Sequence, residues 1–146
     1  MRFTIAVLVG AALGHAICGC SEKAPVEPPG TPPVPPEAIL VWFSEVGAPA
    51  SIDSADTLTV RLSGVAGPNL CYSFDHLEAT RTTSTVEITG HGLYDKSAIA
   101  CPLAIPTFEN VEQVVLPPFP VGPFRVVARQ PDGSQMERSV NVGPPR

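Results

Sequence analysis

Hydrophobic and polar positions alternate in short runs along most of the chain, and Thr57 to Ser63 is the clearest of them. There Leu58, Val60 and Leu62 point one way and Thr59, Arg61 and Ser63 the other, the period-two signature of a strand with one buried face. Ala38 to Val46 is apolar almost throughout. Alternation sends its neighbours Trp42 and Phe43 to opposite faces, one into the core and one to an edge or the surface. Gly64 to Asn69 reads as a turn. Cys71 to Thr80 predicts a further strand with Tyr72, Phe74, His76 and Glu78 on one side and Cys71, Ser73, Asp75, Leu77 and Ala79 on the other. Neither side is purely apolar, which points to a kink or bulge.

Arg81 to Ser84 predicts a hairpin turn into Thr85 to Leu93, where Val86 and Ile88 share a face before Gly90 and Gly92 loosen the ladder. From Tyr94 to Asn110 the alternation fades, leaving a connection long enough to need a function or a pin. Val111 to Leu116 resumes the pattern and runs into a proline-rich corner, Pro117 to Pro123. Phe124 to Gln130 follows, with Phe124, Val126 and Ala128 inward and Arg125, Val127 and Arg129 outward. Pro131 to Ser134 is a tight turn. Gln135 to Val142 closes the chain with Met136, Val140 and Val142 on the core side, and Arg138 shares that face and must reach solvent. Seven strand-sized segments separated by Pro, Gly, Asn and Asp, with no helical spacing, predict one all-β domain over 37–146 built as two packed antiparallel sheets.

Ahead of this domain the composition changes. Of the thirteen residues from Ala24 to Pro36 seven are proline, which removes amide donors and fixes φ, so neither helix nor ladder can form. The stretch predicts a polyproline II spacer of roughly 40 Å. Further upstream, Arg2 precedes an apolar run from Phe3 to Gly14. At about twelve residues that run suits a signal-peptide core and falls short of the roughly 20 that span a bilayer. The next residues, Ile17-Cys18-Gly19-Cys20, resemble the lipobox of bacterial lipoproteins: an aliphatic residue, a tolerant position, a small residue, and the cysteine that is lipidated and becomes the new N-terminus. Cys18 at the tolerant position departs from the usual Ala, Ser or Thr. The resemblance implies a signal peptide over 1–19, acylation of Cys20, and a lipid-anchored linker over 20–36. Ser21 after the cysteine implies an outer-membrane destination in the cell envelope.

With Cys18 removed and Cys20 acylated, Cys71 and Cys101 are left with one pairing, a disulfide in an oxidising compartment. Neither belongs to a C-x-x-C pair, so a zinc site has little support. Charge narrows the partners: 9 Lys+Arg stand against 14 Asp+Glu, and loss of Arg2 with the signal makes the remainder more acidic still. The bases are scattered, which argues against nucleic acid or an anionic membrane face as a partner. The stretch Glu37 to Val142, with its strand, proline-rich corner and final hairpin, resembles immunoglobulin-like and fibronectin-like modules of envelope proteins. It departs from the antibody type in having no tryptophan between Cys71 and Cys101. That resemblance implies a fold and no activity.

Candidate chemistry is thin. His76 and His91 can meet across a hairpin beside Asp75 or Glu78, but Asp75 and His76 are adjacent in a strand and point apart, so a solvated histidine pair is the expectation and no metal is assigned. Asp53 and Asp56 beside Ser51 and Ser54 lack the further carboxylates and glycine of a calcium loop and read as turn caps. Serines are too many to single out a nucleophile, and there is no G-x-S-x-G, H-E-x-x-H, P-loop or dinucleotide turn. The reading is a non-enzymatic protein without cofactor, held to a membrane by lipid on Cys20, that binds or scaffolds an envelope protein or a glycan. Tyr72, Tyr94 and Phe108, with Phe74, form the candidate binding surface, or the phenylalanines simply fill the core. A structural subunit of an envelope assembly is the alternative, and a secreted hydrolase or metal-binding protein ranks below it.

Overall fold

The apolar run at the start of the domain divides in two. In the computed structural model, which describes residues 34–145, Glu37–Leu40 forms β1 and Trp42–Gly47 forms β2, and they belong to different sheets. The expected signal segment, Cys20 and most of the expected linker lie outside the described residues. After β2 come β3 (Ser51–Asp53), β4 (Leu58–Val65), β5 (Tyr72–Arg81), β6 (Thr85–Tyr94), β7 (Thr107–Val115), β8 (Gly122–Arg129) and β9 (Gln135–Gly143). The described residues thus contain nine strands and no helix, where the periodicity predicted seven strands. The difference lies in the division of the first run and in β3, whose three residues are too few to show alternation.

The smaller sheet is β2-β4-β7. The larger has the order β1-β6-β8-β9-β3, with β5 also on β6. β5 pairs with β6 from Val86 to Tyr94, so β1 and β8 share the opposite edge, β8 against Thr85 to Thr89 and β1 against His91 to Tyr94. The expectation of purely antiparallel sheets fails here. β6 runs parallel to β8, and β3 runs parallel to β9. A two-residue alternation reports which face is buried and carries nothing about the direction of the neighbouring strand.

Both sheets contribute to one core. Leu58, Val60 and Leu62 of β4 are fully buried with Val86 and Ile88 of β6, Phe124, Val126 and Ala128 of β8, and Val140 and Val142 of β9. Phe43 enters the core and Trp42 stays 45% exposed, as alternation requires. Between them and β1, Val41 is the crossing point. Its amide donates to the Gly90 carbonyl at 3.0 Å, and a Cβ on Gly90 would lie 2.5 Å from Val41 Cγ2. Gly90 and Gly92 therefore do not loosen the ladder. They remain in β6, paired with Leu77 and Phe74 of β5, and their missing side chains leave room for the chain that crosses over them.

The crossing is closed by a side chain from the far end of β8. Gln130 accepts from the Phe43 amide through Oε1 at 3.0 Å and donates from Nε2 to the Phe43 carbonyl at 2.8 Å, so an amide side chain pairs with that residue as a neighbouring strand would. Gln130→Met keeps the length of the side chain and removes both partners from a part-buried backbone. The expected outcome in urea denaturation is a loss of about 1–3 kcal/mol with an unchanged denaturant slope.

Two outer positions also differ from strict alternation. Val127 was expected outward, and its side chain does leave the core face, but it is only 3% exposed. Glu87 and Glu137 flank it in register, and their ion pairs with Arg129 and Arg125, at 2.7 and 2.6 Å, lay hydrocarbon stems over it. The hydrogen bond from Arg125 to Glu137 holds the guanidinium above its usual pKa. Arg81 ends β5 and does not belong to the turn. It donates to the Leu116 and Pro118 carbonyls and sits 4.4 Å above the Phe119 ring, clamping the proline-rich corner.

Candidate functional site

The end of the domain where β4 and β6 finish is built from two loops, 66–71 and 95–106. Asn69 starts the organisation of the first: its Oδ1 accepts from the Cys71 amide at 3.0 Å and its carbonyl accepts from the Tyr72 amide at 3.2 Å. In the second, Asp95 accepts from the Ser97 amide at 2.8 Å and from the Ser97 hydroxyl at 2.6 Å, a short polar turn that ends β6. The Ser97 hydroxyl bond, followed by the amide bond, holds the Asp95 carboxyl below its usual range.

The loops are then bound to each other. The Leu70 amide donates to the Pro102 carbonyl at 3.1 Å, Ala66 to Pro106 at 2.9 Å, and Asp95 to Cys71 at 2.8 Å. The disulfide joins Cys71 to Cys101 with a Cα–Cα separation of 5.3 Å, as the cysteine count predicted. The long connection is therefore pinned, and it is shorter than alternation implied because β7 begins at Thr107.

What these constraints hold up is apolar. Ile99 is 105% exposed, Leu103 95%, Ile105 63% and Leu70 51%. From Ser97 to Pro106 the sequence has no charged residue, and Ser97 carries the one polar side chain. At the base of the loop Lys96 pairs with Glu37 at 2.8 Å, and Tyr72 stacks on Tyr94 with ring centroids 4.7 Å apart. The long connection singled out in the sequence thus carries exposed aliphatic side chains that the aromatic reading did not include. A signal for three of them, Ile99, Leu103 and Ile105, was there in a charge-free decapeptide between strands, where exposed connections are ordinarily polar.

Of the predicted aromatic surface, Tyr72 and Tyr94 are brought together, both half-buried. Phe108 is not at the surface. It is 7% exposed, edge-on to Phe43 at 6.1 Å and stacked on Phe74 at 4.5 Å, because the bulge in β7 aligns it with Gly64, where no side chain competes for the space. Asn110, in that bulge, adopts φ 52° and donates its amide to Ser63 Oγ at 3.0 Å.

His76 and His91 are register partners, and their rings stack at 4.8 Å. The expectation that Asp75 and His76 point apart fails, since the register shift between Phe74 and His76 leaves Asp75 unpaired in the ladder, and its carboxylate meets His76 Nδ1 at 2.8 Å. Glu78 meets His91 Nε2 at 3.2 Å. Among the described residues no three His, Cys, Asp or Glu side chains converge as a metal site. Asp53 and Asp56 form a turn, the Asp53 amide donating to Asp56 Oδ2 at 3.0 Å, at a shallow cleft that Ser51, Asn141 and Gly143 also line.

No protein-family model, no curated protein and no solved structure matches the chain.

Proposed function

We propose that this chain is a lipid-anchored protein of a bacterial cell envelope, made of an acyl group on Cys20, a proline-rich spacer and a non-catalytic β domain that binds or scaffolds at a membrane surface. The observation that carries the reading is the Cys71–Cys101 bridge. A structural disulfide supports an oxidising compartment, and the remaining cysteines both fall in Ile17-Cys18-Gly19-Cys20, the lipobox-like run that would deliver the chain there. The two-sheet core supports an immunoglobulin-like sandwich as the finer description of the fold. It is a variant, because β6 lies parallel to β8 and the disulfide ties loops at one end.

The anchor is tested by growing cells on an alkyne-tagged fatty acid and following the chain and its Cys20→Ser form. Label on the native chain alone, with an acylated peptide beginning at Cys20, is the expected outcome. A mature chain without acyl label overturns the anchor.

The exposed aliphatic loop favours a second reading, a subunit of an envelope assembly that uses the loop as its contact. Crosslinking in intact cells distinguishes the readings: one dominant protein product formed through residues 99–105 supports the subunit.

A further inference from the structure

We propose that the disulfide-pinned loop 97–106, with Leu70 beside it, is a second membrane contact that rests Ile99, Leu103 and Ile105 in the interface of an uncharged, zwitterionic lipid surface. The inference rests on the lipid-anchor reading of Cys20.

Placement is the first argument. The linker enters the domain at Glu37, and Glu37 is the register partner of Tyr94 and the ion-pair partner of Lys96, the residues that lead into this loop. The linker therefore joins the domain at the same end that carries the apolar tip. At about 3.3–3.6 Å per residue the tether's greatest span is on the order of 60 Å. Within that reach the loop has a high effective concentration at the bilayer and needs only weak intrinsic affinity.

Chemistry is the second. The tip 97–106 offers no charge and one hydroxyl that is already engaged by Asp95, and the nearest charges, Asp95, Lys96 and Glu37, stand at its base, where a headgroup layer would meet them. Aliphatic side chains held out on a rigid loop suit the boundary between headgroups and acyl chains, and the stacked Tyr72–Tyr94 pair beneath them has the apolar body and polar tip that favour the headgroup level. The loop backbone is irregular, so it stops at the interface and does not enter the hydrocarbon. The domain has no clustered bases and the chain is acidic, which opposes an anionic surface and selects a zwitterionic one.

Rigidity is the third. The bridge and the bonds Leu70 to Pro102 and Ala66 to Pro106 fix the aliphatic side chains in the exposed position before any contact, so little ordering entropy is lost on binding.

The test uses the full acylated chain, extracted from cell membranes and reconstituted in phosphatidylcholine vesicles. Two variants are compared in a Trp42→Phe background: Leu103→Trp in the loop, and Val121→Trp, exposed at the opposite end on the proline-rich corner. Expected is a blue-shifted emission for Leu103→Trp that brominated phosphatidylcholine quenches equally at low and high salt, with Val121→Trp unquenched. If both chains float with vesicles and neither is quenched, the anchor stands and the loop contact is overturned. If neither floats, the anchor reading and this inference fall together. A loop-to-loop crosslinked dimer, or a blue shift already present in detergent and insensitive to brominated lipid, assigns the patch to a second copy and overturns the lipid contact.

Discussion

Replacing Cys71 and Cys101 together by serine is expected to lower the free energy of unfolding by about 3.5 kcal/mol, the chain-entropy value for a closed loop of this length. The two cysteines are separated by 30 residues, which include all of β5 and β6, so the bridge restricts a large part of the unfolded chain. Folded domains are stable by about 5–15 kcal/mol, which makes this loss a large share of the total. Urea denaturation of native and variant chains measures it, and hydrogen exchange locates it. Faster exchange throughout β4, β6 and β8 marks a global loss. Change confined to 95–106, with the global value lowered by less than about 1 kcal/mol, would mean that the bridge serves the loop and contributes little to the fold. In that case the rigidity of the apolar tip becomes the reason for the disulfide.

Phe124→Ala is expected to cost a similar amount, about 3–5 kcal/mol, by a different route. Phe124 is fully buried in β8, pairs with Val140 of β9 and meets Phe119 edge-on at 5.1 Å. Truncation removes the transfer energy of the ring and leaves a cavity under the proline-rich corner. That corner cannot collapse freely, because the Phe119 amide is bonded to the Ser54 carbonyl at 2.9 Å and Arg81 grips two of its carbonyls. Thermal and urea unfolding check the magnitude. A loss under about 1.5 kcal/mol would show that the corner does repack, and that the Arg81 clamp yields.

These predictions concern different parts of the same arrangement. The disulfide governs the end of the domain that presents Ile99, Leu103 and Ile105, and Phe124 governs the other, where β5 turns and the corner packs. A chain weakened at Phe124 is expected to lose the loop only when the whole domain unfolds. Serines at 71 and 101 free the loop first.

Local alternation was enough to identify β4, β8 and β9, because one face of each stays dry and its apolar residues recur at every second position: Leu58, Val60 and Leu62, then Phe124, Val126 and Ala128, then Val140 and Val142. The pairing of Cys71 with Cys101 was legible once the lipobox-like run set Cys18 and Cys20 aside, leaving two cysteines to pair. Turn chemistry marked the hairpins. Each of these rests on residues near one another in sequence or on a pairing with one solution. The tertiary structure decided what depends on the neighbours a strand acquires. Val41 switches sheets because Gly90 and Gly92 leave space beneath it, Gln130 completes an edge 87 residues away, and Val127 is covered by ion pairs supplied from β6 and β9. It also decided that Phe108 turns inward while Leu70, Ile99, Leu103 and Ile105 stay outside, since whether an apolar side chain is buried depends on what the rest of the chain places against it.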